Sequence, residues 1–163
     1  TSNLWGERWA KLATNCMANS LCALTGLGSA GSRTTPGVVD VSVKIASEVV
    51  NVGTALGVVV EPINGITAET YQRAADGQVL EEIKSRLAEG AKALGEGRPS
   101  MAQDVLKGRR TEIDYLNGYV AARGRDVGVE APANEAMVGL LKQVERGEIK
   151  PDASNIRYLE SFI

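Results

Sequence analysis

Residues 3–24 contain one glycine, Gly6, and no proline, and are rich in Ala, Leu, Trp, Cys and Met. Such a run reads as a long helix, apolar on nearly all sides. A helix with almost no wet face needs neighbours around most of its circumference, so the chain has to supply several further elements to cover it. The next break is the Gly-, Ser- and Thr-rich run at 25–37, which contains Pro36. Beyond it Val39, Val41, Val43 and Ile45 alternate with polar residues as a strand would. Asp40, Lys44 and Glu48, however, recur at four-residue spacing. They form two opposite-charge pairs that face each other only on a helix, and Ala46, Val49, Val50 and Leu56 continue its apolar face. The expectation is therefore a helix.

After the short apolar run Val58–Val60 and a turn at Pro62 and Asn64-Gly65, two amphipathic helical segments follow at 67–75 and 79–94. Residues 95–99 break the chain again. Ser100 with Gln103 matches a capping box for a helix over 101–107, and Thr111 can cap another over 112–123. Further helices are expected over 133–145, after Pro132, and over 152–162. No run of strands alternates with these helices, so the fold class is all-α, and 163 residues suit a single domain over 1–163.

Composition narrows the chemistry. There is no histidine, which removes Ser-His and Cys-His nucleophiles and His-ligated zinc and leaves proton transfer to Lys, Glu, Asp or Tyr. With 18 Lys+Arg against 20 Asp+Glu the net charge is −2, so nucleic acid and anionic membrane surfaces are poor partners. Cys16 and Cys22 lie about 9 Å apart along one helix and cannot bridge. Two unpaired thiols, with no signal peptide and no apolar run of about 18 residues or more, suggest the cytoplasm. The chain opens at Thr1 within what reads as a helix start, which suggests a piece of a longer polypeptide.

Gly26, Gly28 and Gly31 spell G-x-G-x-x-G, the pattern of a dinucleotide phosphate loop. That loop needs a strand before it and a helix opening at once after it. Here the glycines follow a helix end and precede Ser32, Thr34, Thr35 and Pro36, so they read as a helix-terminating loop.

The first helix carries a more specific signal. Lys11, Asn15 and Asn19 stand four residues apart and cover an arc of roughly 80° at about 100° per residue. Trp9, Leu12 and Cys16 flank them on one side, Ala18 and Leu4 on the other. An ammonium group on such a helix either snorkels to water or meets a carboxylate or ligand, where it can act as a proton donor. A second cluster lies at 100–117. Ser100 reads there as an N-cap, Glu112 and Asp114 as first-turn anions, and Lys107, Arg109 and Arg110 as a solvated basic turn. Whether Glu112 is the carboxylate that meets Lys11 stays open on spacing alone.

The run W-A-K-L-A-T-N-C-M-A-N at 9–19, S-M-A-Q-D at 100–104, T-E-I-D-Y-L-N-G at 111–118 and G-V-E-A-P-A-N at 128–134 together resemble the C-terminal domain of the ketopantoate (2-dehydropantoate) reductase family. The resemblance covers essentially the whole chain. It implies a helical domain similar to the C-terminal domain of 6-phosphogluconate dehydrogenase, which normally follows an N-terminal Rossmann domain for NADPH that this chain lacks. By the same resemblance Lys11 is the general acid, Asn15 and Asn19 line the substrate site, Ser100 hydrogen-bonds the substrate, and Glu112 contacts the substrate hydroxyl and supports the lysine. The implied activity is reduction of ketopantoate to pantoate in pantothenate synthesis, without a metal, by an enzyme that this half alone does not complete. The implied partners are a small 2-keto acid, the Rossmann domain and, from the long apolar helix, a second copy in a homodimer. Arg110 stands where many relatives have proline. The alternatives are a reductase of another 2-keto acid and a non-catalytic helical oligomerisation domain.

Overall fold

Asn3 opens the first helix by accepting the Gly6 N–H on its side-chain oxygen at 3.1 Å, and α1 then runs Leu4–Thr25. A computed structural model describes all of residues 1–163. After α1 come α2 (Gly31–Thr34), α3 (Val38–Ala55), α4 (Ala68–Gln72), α5 (Gly77–Ala91), α6 (Ser100–Leu106), α7 (Asn117–Val127) and α8 (Pro132–Glu145). Three 3-10 turns, Ile113–Tyr115, Ala153–Tyr158 and Glu160–Phe162, complete the chain. No strand forms. The nearest approach is one isolated antiparallel bridge between Ile63 and Ile66.

The two most apolar helices, α1 and α3, pack on each other at the centre, and α2, α5, α6, α7 and α8 surround them. The strand-like alternation at 39–45 has a simple cause. Val38, Val39, Val41, Val43, Ile45, Ala46, Val49, Val50 and Val52 are all buried, because α3 meets neighbours on most of its sides. Of the two charge pairs expected along it, only Lys44–Glu48 forms, at 3.7 Å. Asp40 turns instead to Lys84 of α5, at 2.9 Å.

Glu48 is 3% exposed and accepts the backbone N–H groups of Ala133 at 3.1 Å and Asn134 at 3.0 Å, as well as the Asn134 side-chain amide at 2.9 Å. A carboxylate lent by α3 thus closes the N-terminus of α8, which starts on Pro132 and has no cap of its own.

The far end of α1 is closed by three donors. Gly26, in the left-handed region at φ 74, returns its N–H to the Cys22 carbonyl. The Asp152 N–H and the Asn155 side chain both reach the Leu24 carbonyl at 3.1 Å. Gly28 is needed for close approach, since a Cβ there would sit 2.9 Å from the Glu96 carbonyl oxygen. Ser29 and Ala30 then donate their N–H groups to the Gly97 and Gly95 carbonyls. The G-x-G-x-x-G run is therefore a helix-ending loop zipped to a second glycine loop, although a short helix, α2, opens at its third glycine where none was expected.

Several boundaries differ from the sequence reading. Pro99, not Ser100, is the N-cap of α6. Ser100 is the first helical residue, and Gln103 donates to the Arg98 carbonyl rather than closing a capping box. The helix expected over 112–123 breaks at Leu116 (φ −108, ψ −96), so a 3-10 turn precedes α7. The segment expected over 152–162 is a pair of 3-10 turns. Both cysteines are free and buried, and burial pushes both thiols up from their ordinary values. No helix is long and apolar enough to cross a membrane.

Candidate active site

Helical periodicity brings Lys11, Asn15 and Asn19 to one face of α1, with Lys11 exposed and the two amides half-buried. Trp9 and Cys16 beside them are buried, and the Trp9 indole N–H donates to the Val49 carbonyl at 2.7 Å, fixing that flank of α1 against α3. Ten ion pairs lie within 4.0 Å, and Lys11 belongs to none of them. The direct Lys11–Glu112 pair left open by the sequence does not form in this state.

The remaining two candidates come from the segment that follows α5. α6 packs on α1, and Ser100 stands exposed at its first position. Glu112 is exposed immediately before the 3-10 turn, whose Ile113 is fully buried. No side-chain hydrogen bond within the protein involves Lys11, Asn15, Asn19, Ser100 or Glu112. By contrast the buried asparagines Asn117, Asn134 and Asn155 are all engaged. Five polar side chains are thus left for solvent or a ligand.

Glu112 owes its place to contacts on either side of it. Thr111 donates its N–H and its hydroxyl to Glu145 Oε1 at 2.7 and 2.6 Å. Lys142 of α8 bridges Asp114 at 2.6 Å and Glu145 at 3.2 Å. The Lys142 hydrogen bond holds the Asp114 carboxyl below its usual range. Burial alone would raise Glu145, but the two bonds from Thr111 and the Lys142 ammonium outweigh it and lower this carboxyl too. A carboxyl depressed by folding stabilises the fold above its unfolded value, near 3.8 for Asp and 4.5 for Glu, and that contribution vanishes as pH falls through the lower folded value. Thermal melts from pH 7 down to 3 are expected to lose midpoint below about pH 4.5, less steeply in Glu145→Gln. Equal slopes for the two proteins would show that this clamp is not what titrates.

The residues that hold the clamp, Glu145 and Lys142, were not foreseen from sequence. Thr111 and Glu145 are separated by 34 positions and no local pattern pairs them.

The family described as "Ketopantoate reductase PanE/ApbA C terminal" matches residues 3–145. The chain belongs to the ketopantoate reductase family. A 2-dehydropantoate 2-reductase of Pyrobaculum aerophilum is 35% identical over 138 residues, 85% of this chain and 43% of that protein. A crystal structure of a PanE/ApbA family ketopantoate reductase from Ralstonia eutropha is 32% identical, with a TM-score of 0.68 over 91% of this chain and 43% of the other. D-mandelate dehydrogenase, solved with NADH and anilino(oxo)acetate, shares the fold at 22% identity, with a TM-score of 0.71 over 90% of this chain and 54% of its own. The chain spans about two fifths of the length of the curated ketopantoate reductases it matches. It corresponds to the family's all-helical C-terminal domain.

Proposed function

We propose that this chain is the substrate domain of an NADPH-dependent 2-keto acid reductase, with ketopantoate as substrate and pantothenate synthesis as its setting. The observation that carries the reading is the unpartnered row of Lys11, Asn15 and Asn19 on the central helix α1, with Ser100 and Glu112 also free. Lys11 protonates the oxygen of the keto group as it is reduced, at an ammonium that no carboxylate occupies. The amides of Asn15 and Asn19 and the hydroxyl of Ser100 offer fixed dipoles to the carbonyl and carboxylate oxygens. Glu112 accepts a hydrogen bond from the substrate hydroxyl.

The dinucleotide itself does not fit this chain. Its one G-x-G-x-x-G run follows α1 rather than a strand, and the loop backbone is bonded to the Gly95 and Gly97 carbonyls. The cofactor belongs to the upstream half that the relatives carry, and the domain alone is expected to be inactive. That half, we propose, meets this domain at the N-terminal end of α1, where Leu4, Trp5 and Val59 are 55%, 66% and 76% exposed.

The same exposed side chains favour a second reading, a non-catalytic domain that associates through this end. The separating experiment is NADPH oxidation by the complete polypeptide with ketopantoate, 2-ketoisovalerate and pyruvate. Ketopantoate turnover well above the other two is expected. Activity on another keto acid alone would change the substrate, and activity on none would favour association.

A further inference from the structure

Asn117 is fully buried, five positions after Glu112 and at the first position of α7. Its side-chain amide donates to the Asn134 side-chain oxygen at 3.0 Å and to the Cys16 carbonyl of α1 at 3.4 Å. Asn134 in turn donates to Glu48 and to the Ile45 carbonyl, so a buried polar line runs from α3 through α8 to α1. The bond to Cys16 is the one hydrogen bond between the Glu112 segment and α1. Cys16 lies between Asn15 and Asn19, so this bond sets the height of the Glu112 segment along the amide row.

A further detail shows that this position needs a donor. The Asn117 side-chain oxygen is buried with no partner, a state proteins rarely tolerate. It persists here because both acceptors that the amide meets are carbonyl oxygens, one of them on α1. The other contacts of the segment, Thr111 to Glu145 and Asp114 to Lys142, tie it to α8 and do not register it against α1.

We infer that Asn117 is a positioning residue that fixes Glu112 in register with Asn15 and Asn19, and so tunes the enzyme toward keto acids bearing a hydroxyl. This rests on the function proposed above. Asn117 touches no substrate; it acts through the segment that carries Glu112.

The test is made in the complete polypeptide with ketopantoate and with 2-ketoisovalerate, which lacks the hydroxymethyl group. Asn117→Ala is expected to lower kcat/KM for ketopantoate about tenfold or more, with a much smaller loss for 2-ketoisovalerate. Asn155→Ala is the control: it also removes a buried amide bonded to an α1 carbonyl, at Leu24, away from Glu112. It is expected to lower the melting midpoint but leave the ratio of the two substrates unchanged. Should Asn117→Ala not fold, Asn117→Leu, which fills similar space without a donor, is read by the same ratio. An unchanged ratio in the folded Asn117 variant, with the wild type reducing ketopantoate, overturns the positioning role and leaves the proposed function standing. No turnover by the wild type overturns both.

Discussion

Lys11→Ala in the complete polypeptide is expected to lower kcat for ketopantoate by about 10²–10⁴-fold, the usual worth of a positioned proton donor. KM should move little, because the contacts proposed for Asn15, Asn19 and Ser100 are left in place. The melting midpoint should not move, since Lys11 is exposed and belongs to no ion pair or hydrogen bond. Lys11→Arg keeps the charge but not the acid, because a guanidinium does not release its proton, so it is expected to fail as well. NADPH oxidation beside a thermal melt of each variant reads both effects. Turnover surviving in Lys11→Ala would remove the lysine from the chemistry.

The largest expected loss of stability lies away from the site, at Glu48. Alanine there leaves the N–H groups of Ala133 and Asn134 without an acceptor and the Asn134 amide with the Ile45 carbonyl alone. At about 1–3 kcal/mol for each buried group left unsatisfied, the change is expected to cost about 3 kcal/mol or more. For a domain of this size that is a fall in midpoint of roughly 6–12 °C. Glu48→Gln retains one acceptor but turns an amide NH₂ toward the same donors, so an intermediate loss is expected. A midpoint in Glu48→Ala within a degree of wild type would mean that α8 finds another cap.

What could be read without coordinates follows from the range of the interactions involved. The helical class, the long first helix and the shared face of Lys11, Asn15 and Asn19 depend on spacing within a few turns, and all of these appear in the structure. The two readings of 39–45 were separable because charge spacing is local even where burial is not. The ends of elements were harder. Ser100 carries the signature of a cap, yet Pro99 with its fixed extended backbone takes the position first. Thr111 looks like the start of a helix, but Glu145 claims both of its donors and turns the chain. Glu48 reads as half of an i,i+4 pair, and its principal partners lie 85 and 86 positions away. The one hydrogen bond from the Glu112 segment to α1 likewise joins Asn117 and Cys16, which are 101 positions apart and share no pattern.

The two buried cysteines make α1 its own reporter. Each thiol is sealed against the core, and burial suppresses the reactive thiolate in both. A small alkylating reagent can reach them only when α1 lifts away from its neighbours, so the labelling rate measures how often that occurs. Because Cys16 adjoins Asn15 and Cys22 lies one turn beyond Asn19, the natural sequence sets one clock for opening within the proposed catalytic face and one just past its end. Substrate that braces this face should slow the clock at Cys16 before it slows the one at Cys22.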